Sequence, residues 1–524
     1  MEKKWWTLIA VCAGTFMLLL DVTIVNVALP SIQGALRAGF GDLQWVVDAY
    51  ALSLASLLLT AGALADRFGR RLLFGIGLVV FTAGSLLCGL AQSPEMLIIS
   101  RGGQGIGGAI VFATSLALLA QSFHGRERGT AFGLWGAVTG VAVALGPILG
   151  GAITSGLSWR GIFLVNVPIG VGAVLVTAYK VEESKSPHAH RPDFAGFVLL
   201  TFGLAALVYG MIRAGEISWG DPGVWVSLAL AVVFLVGFVF TEAVVAHPLF
   251  DLSLFKIPTF VGGSLAALAM NGSLFAMLLY ITLYLQDLLG FSALGTGVRL
   301  LVLSGITLVV STVAGRLSAH VPVRWLIGPG LGLVGAGLLL MSGVDAGTAW
   351  THLIPGLLVA GAGSGMVNAP LASTAVGVVH PMRSGMASGI NTTFRQVGIA
   401  ASIAALGSVF SARLSHLISS GVGDPAVAAR TLAAVRNGQV GQAIASVPGP
   451  QRGHLGAVIH SSFASGINEL FVITGIVALA GGVASVALIR SRDFVHFVPE
   501  PALAPSLHPQ AAGGTGAVHV PRPA

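Results

Sequence analysis

The sequence predicts an all-α polytopic membrane protein with fourteen transmembrane helices, arranged as two six-helix halves plus two extra central helices. Three observations carry that prediction. Of 524 residues, 55% are hydrophobic and 9% charged, where soluble domains carry about 25% charged residues. The apolar residues fall in repeated runs of the ~20 residues that a bilayer-spanning helix needs. The basic residues gather in every second connection. With the amino terminus inside, Lys3, Lys4, Arg67, Arg70, Arg71, Arg126, Arg128, Lys180, Lys185, Arg191, Lys256, Arg316, Arg324, Arg383, Arg490 and Arg492 share one side. The short loops of the other side hold Arg37, Arg160, Arg213 and Arg299. Positively charged loops stay in the cytoplasm, so both termini are expected there.

In order, the spans are expected near 7–29, 45–65, 72–91, 96–121, 131–155, 160–180, 194–213, 223–245, 258–286, 295–317, 324–344, 352–378, 384–410 and 467–490. Residues 1–180 form the first half. Residues 181–257 hold a polar cytoplasmic linker and the two extra helices. Residues 258–492 form the second half, which includes a long extracytoplasmic loop at 411–466. Residues 493–524, rich in Pro, Ala and Gly, read as a disordered cytoplasmic tail. The opening Met-Glu-Lys-Lys-Trp-Trp is similar to a signal-peptide n-region, but the apolar run behind it is long and holds Asp21 and Asn26, so an uncleaved first span is expected.

A weak internal repeat supports the two halves. Gly62 to Arg71 ends span two, and Gly315 to Arg324 ends span ten. The glycine, a leucine and the last arginine match in register, while Ala319 stands where the first copy has Asp66. Repeated halves are a transporter architecture.

The net charge of +7 does not point to nucleic acid, because the basic residues are scattered between apolar runs. Cys12 and Cys88 lie inside such runs and read as packing residues, so no disulfide and no metal site is expected. No lysine follows a glycine, which excludes a P-loop ATPase within this chain. Gly103-x-Gly105-x-x-Gly108 mimics a dinucleotide fingerprint but sits in an apolar helix with no strand before it. No cofactor is expected. Energy must come from an ion gradient or from the solute, and the chain does not read as an enzyme.

The stretch Leu20–Pro30 organises the rest. Asp21 is the one acid of its run, and a carboxylate at mid-bilayer costs roughly 2.5–3.5 kcal/mol on insertion scales. It is the leading candidate for a proton-carrying residue. Asp48, early in span two, is second. Asp287 and Glu469 lie near span ends and read as interfacial. Met17, one turn from Asp21, could desolvate it. Arg101 near the start of span four either snorkels to the surface or faces inward and couples to Asp21. In the Gly62–Arg71 turn, Gly62 and Gly69 permit tight geometry, Arg67, Arg70 and Arg71 are topology signals, and Asp66 can cap a helix or pair with an arginine. In span five, Ala142, Gly146 and Gly150 recur every fourth residue and Pro147 can bend the helix; Gly140 and Gly151 flank this smooth face, which suits a moving neighbour. Asn391 and Arg395 share a face of span thirteen and, with Met17 and Asn26, are candidate lining of a substrate cavity.

At these residues the chain resembles the fourteen-span drug:proton antiporters of the major facilitator superfamily, a group of multidrug efflux and antibiotic-export pumps. Leu20-Asp-x-Thr-Ile-Val-Asn-x-Ala-Leu-Pro30 is similar to the group's first-helix motif. Gly62-x-Leu-Ala-Asp-Arg-x-Gly-Arg-Arg71 resembles the superfamily's loop motif, and Arg101-x-x-Gln-Gly105 its fourth-helix motif. Gly140 to Gly151 resembles the antiporter motif, and Trp159-Arg160-x-Ile-Phe-x-x-Asn-x-Pro-x-Gly170 is a further mark, with Gly161 where the group commonly has tryptophan. The resemblance implies the major facilitator fold, a protonatable Asp21, an Arg101 that takes part in proton coupling, and an Asp66 that latches cytoplasmic helix ends.

The sequence-level expectation is therefore a monomeric, proton-coupled exporter of amphipathic or aromatic drugs, or of an antibiotic, in a bacterial inner membrane. A facilitator or importer of a small metabolite, with Asp21 as substrate ligand, is the alternative. A non-transporting membrane sensor is more remote, because no soluble signalling domain is present.

Overall fold

The expected apolar runs become helices in the computed structural model, which describes residues 2–123, 125–185, 193–246, 248–318, 320–379, 384–436 and 439–494. No strand occurs among the described residues. The first six helices are α1 (Lys3–Leu36), α2 (Phe40–Phe68), α3 (Arg70–Gly89), α4 (Pro94–Ser122), α5 (Gly125–Gly156) and α6 (Gly161–Lys180). Two more follow, α7 (Phe194–Glu216) and α8 (Pro222–Val244). Then come α9 (Pro258–Leu288), α10 (Ala293–Leu317), α11 (Arg324–Leu340), α12 (Leu353–Gly377) and α13 (Ser384–Gly421). Two short helices, α14 (Pro425–Arg436) and α15 (Val440–Ala445), precede the last, α16 (Gly449–Leu488).

Local chemistry sets the starts. Ser93 accepts a hydrogen bond from the Met96 N–H with Pro94 in the first turn, and Asp221 caps α8 ahead of Pro222. Ser292 caps α10 through Gly295 N–H, and Asp193 caps α7 through Gly196 N–H. Such oxygens satisfy N–H groups that a helix start leaves open.

Thirteen of these helices are long and apolar enough to cross a membrane, and α11 adds a shorter apolar helix of 17 residues, at the lower limit for a span. It is shorter than expected because the chain leaves helical geometry after Leu340 and turns at Gly343, where φ is +84°. The segment 411–466 also differs from the loop expected there. α13 continues to Gly421, α14 and α15 follow, and α16 begins at Gly449. This layer is tied down by Arg436, whose guanidinium donates to the carbonyls of Glu216 (2.8 Å) and Gly215 (3.2 Å) and to Ser415 Oγ (3.1 Å). The Arg436 carbonyl in turn accepts from Gln33 Nε2 on α1 at 3.0 Å. Ala319 and the tail from residue 495 onward lie outside the described residues, as does most of the polar linker.

The largest apolar cluster joins the first six helices to the last six. Ile24, Leu29 and Phe163 share it with Met277, Tyr280, Leu331, Phe410 and Phe471. A second cluster, with Val11, Leu54, Phe74, Leu119 and Phe123, belongs to the first six helices alone. The main junction is α5 against α10. A Cβ on Gly297 would stand 2.1 Å from the Pro147 carbonyl oxygen, and one on Gly151 would stand 2.5 Å from that of Ala293. Ser304 Oγ donates to the Ala144 carbonyl at 3.3 Å. On its other side α5 meets α1: a Cβ on Gly146 would lie 1.9 Å from Thr23 Oγ1, and one on Gly150 2.7 Å from the Ile24 carbonyl oxygen. The small residues of α5 thus let its backbone touch both neighbours, the usual means of close helix approach in membranes. Within α9, Asn271–Phe275 and Tyr284–Leu288 are wound as π-helix. The first of these turns sets Gly272 against α13, where a Cβ would meet Ser402 Oγ at 2.6 Å.

Candidate functional site

Four side chains from three helices converge around Asp21 on α1. Arg101 on α4 forms an ion pair with Asp21 Oδ2 through a guanidinium nitrogen. Gln104, one turn further along α4, donates to Asp21 Oδ1 at 2.9 Å, and Asn166 on α6 donates to the same oxygen at 3.4 Å. Ser85 on α3 accepts from Gln104 Nε2 (3.2 Å) and Asn166 Nδ2 (3.1 Å) and donates to the Phe163 carbonyl (2.9 Å). Asp21 and Gln104 are 0% exposed and Arg101 is 1% exposed.

Arg101 is satisfied beyond the ion pair. Its Nε donates to the Val46 carbonyl at 3.0 Å and its NH1 to Gln104 Oε1 at 2.8 Å. The Tyr50 ring of α2 lies 4.2 Å from Cζ, within cation–π range. Of the two readings of Arg101, the structure selects the inward one. A buried ion pair persists when its other donors and acceptors are met; here Nε and NH1 of Arg101 and both oxygens of Asp21 have partners, while Asn166 Oδ1 in the same shell has none.

Glycine makes the site possible. A Cβ on Gly105 would stand 2.6 Å from the Tyr50 carbonyl oxygen, one on Gly107 2.3 Å from the Phe81 nitrogen, and one on Gly84 2.8 Å from the Gln104 backbone. With no side chains there, α2, α3 and α4 come close enough for the short Ser85 and Gln104 side chains to reach each other. Gln104, Ser85 and Asn166 were not singled out from sequence. Gln104 carried a signal, three residues from Arg101 on one helix face, and Asn166 lay inside a quoted motif.

Other expected residues are placed differently. Asp48 is 0% exposed and neither carboxylate oxygen has a hydrogen-bond partner. Met17 is buried among the apolar residues of the first six helices, not on an open cavity. Asn26 donates to the Val22 carbonyl of its own helix at 3.2 Å. Asn391 donates to the Gly263 carbonyl (3.3 Å) and accepts from Arg395 Nε (3.3 Å), so these two are joined on α13. The 62–71 turn closes on its own half. Arg70 holds Asp66 Oδ1 at 2.8 Å and reaches Gln121 Oε1 at 3.3 Å, and Arg67 lies over the Phe68 ring at 5.6 Å. Gly69 has φ +128°, a conformation that side chains resist. Beside it Glu183 accepts from the Arg71 and Leu72 N–H groups, each at 3.1 Å, and so caps α3. The sequence reading placed Glu183 only in a polar linker.

The sequence profile of the Major Facilitator Superfamily matches residues 11–403. The multidrug resistance protein Stp of Mycobacterium tuberculosis is 37% identical over 410 residues, covering 78% of this chain and 76% of that protein. The tetracenomycin C resistance and export protein of Streptomyces glaucescens is 33% identical over 505 residues, covering 94% and 92%. Among solved structures, a bacterial homologue of the human lysosomal transporter Spinster, in an inward-facing and occupied conformation, superposes with TM-score 0.65 at 15% identity, covering 94% of this chain and 98% of that one. That likeness is one of fold. The chain belongs to the major facilitator superfamily, a family of transporters.

Proposed function

We propose that this major facilitator superfamily protein exports amphipathic or aromatic drugs, or an antibiotic, in exchange for protons by alternating access. The observation that carries this reading is the buried Asp21–Arg101 pair with its Gln104, Asn166 and Ser85 shell. A proton arriving at Asp21 removes the negative charge that holds Arg101. The freed guanidinium must then find another acceptor, which gives the first six helices two discrete arrangements. Such a two-state element, biased by a proton on one side and substrate on the other, is what exchange requires. The names of the relatives, a multidrug resistance protein and a tetracenomycin C resistance and export protein, support the direction and the substrate class.

Asp48 serves as a second proton-bearing group. An ionised carboxylate without a partner costs several kcal/mol in an apolar interior, and the two oxygens of Asp48 have none, which makes Asp48 the second candidate to carry a proton. One charge crossing the membrane is worth ~2.3 kcal/mol per 100 mV, enough for a roughly 50-fold gradient at 1.4 kcal/mol per tenfold. The α5–α10 glycine contacts form the seam about which the two sets of six helices rock. The protein works in a bacterial inner membrane with both termini in the cytoplasm, as the loop charges indicate.

The test is accumulation of a fluorescent cationic dye in cells that express the protein, with and without an uncoupler. Lower retention that the uncoupler reverses is expected. Export that the uncoupler leaves untouched would overturn proton coupling and favour a facilitator.

A further inference from the structure

Away from the Asp21 site, two distant stretches of chain build a shallow basic cavity of about 410 Å³, lined by Arg324, Arg490, Ser491 and Arg492. Arg324 is the first residue of α11, whose positive dipole end faces this region. Arg490–Arg492 follow the end of α16 and enter a single 3-10 turn, Ser491–Asp493. The geometry points to a binding site for a phosphate-bearing anion at headgroup depth, occupied by an anionic phospholipid.

Four observations support the assignment. The wall is fixed: the Arg490 N–H donates to Thr259 Oγ1 at 2.7 Å, and Thr259 Oγ1 donates to Asp493 Oδ2 at 2.7 Å. Asp493, the acid next to Arg492, is therefore engaged by Thr259, and its approach to Arg492 is a long 3.9 Å. Arg324 Nε is buried without a hydrogen-bond partner, a donor that an anion would satisfy. Trp325, half exposed beside Arg324, sits where two apolar helices end, and tryptophan marks the membrane–water interface. Three arginines and a serine line the cavity, residue types whose guanidinium and hydroxyl groups suit the oxygens of a phosphate, and basic pockets between helices on the cytoplasmic side take phospholipid headgroups. A plain topology signal explains one arginine at a helix end, as with exposed Arg316 in the last turn of α10. It does not explain three that share one cavity from residues 324 and 490–492.

The test uses the purified full chain and native mass spectrometry, with phosphatidylglycerol and phosphatidylcholine added in turn. Wild type is expected to retain phosphatidylglycerol and release phosphatidylcholine. Arg324→Gln and Arg490→Gln should each weaken that retention about fivefold, the effect of one basic residue near an anionic surface. Arg316→Gln should leave it unchanged. Equal retention of the two lipids, or equal loss in Arg316→Gln, would overturn the site in favour of a diffuse basic belt. Millimolar inorganic phosphate separates the sources. If phosphate leaves phosphatidylglycerol bound, the lipid is the ligand. If phosphate displaces it and alone raises the thermal midpoint of wild type but not of Arg324→Gln, the anion site stands and its ligand is soluble phosphate. The two substitutions lie on different segments, so misfolding of one variant leaves the other to decide.

Discussion

Asp21 and Arg395 are both ionisable groups set within long apolar helices, one in each set of six, and they are treated differently. Asp21 meets an opposite charge and two amide donors within one buried shell. Arg395 is partly buried, bonds to the neutral Asn391 through Nε, and pairs with no carboxylate among the described ion pairs. The buried ion pair among the described residues thus lies in α1–α6. The last six helices contribute close-approach surfaces, such as Gly297 on α10 and the π-wound turn of α9 against α13. Two halves of similar architecture can divide the labour of exchange, one carrying the titrating group and the other the surface it moves against.

The largest effect is expected from Asp21→Asn. It should abolish uncoupler-sensitive dye export while the protein still reaches the membrane at wild-type level, as read by immunoblot. Retained coupling would move the titrating chemistry elsewhere and break the comparison. Next is Arg101→Gln, which leaves a buried carboxylate unpaired at a cost of about 3–5 kcal/mol. Its thermal midpoint in detergent should fall well below wild type, and the double variant Asp21→Asn with Arg101→Gln should recover most of that loss, because both charges then leave together. A smaller effect is expected at the seam. Gly297→Val drives a side chain into the Pro147 carbonyl, overpacking that costs typically 1–3 kcal/mol, so transport should slow in cells that express the variant. Arg395→Gln should change which dyes are exported while uncoupler sensitivity remains, and loss of coupling there would erase the contrast between the halves.

The smallest effect concerns a partly exposed pair. Arg213 Nε lies 3.0 Å from Asp221 Oδ1, and its hydrogen bond holds the Asp221 carboxyl below the usual carboxylate range. A depressed acid contributes stability above its unfolded pKa and loses it as pH falls through the folded one. Asp221→Asn should therefore lower stability slightly at neutral pH and change nothing in acid, where the wild-type carboxyl is already protonated, so that the acid side of the stability profile flattens; the step is small because surface pairs are weak. A large effect would mean that burial does not separate the two kinds of pair.

Much of this was legible in the sequence for physical reasons. Asp21 and Arg101 stood out because charge in an apolar run is expensive. Gln104, Ser85 and Asn166 did not, because neutral polar residues in spans are inexpensive and serve many packing roles, so their convergence depends on how closely α3, α4 and α6 approach. The 411–466 segment read as a loop because its hydropathy is low. Its helices are amphipathic, not membrane-filling, with Ala428, Thr431 and Val435 on the buried face of α14. Glu183 was hidden for the reverse reason, since a carboxylate in a polar linker attracts no notice until a helix start is seen beside it.

The 40-residue α16 is ~60 Å long at 1.5 Å per residue, about twice the ~30 Å hydrocarbon thickness of a bilayer. Part of it, with α14 and α15, must therefore stand clear of the lipid as a rigid, helical landmark. Small transporters are hard to align in electron micrographs because little of them rises above the detergent belt. Here an antibody fragment raised against Pro425–Arg436 would clasp a helix already bolted through Arg436 to α7, and would report the motion of that helix without touching the buried ion pair.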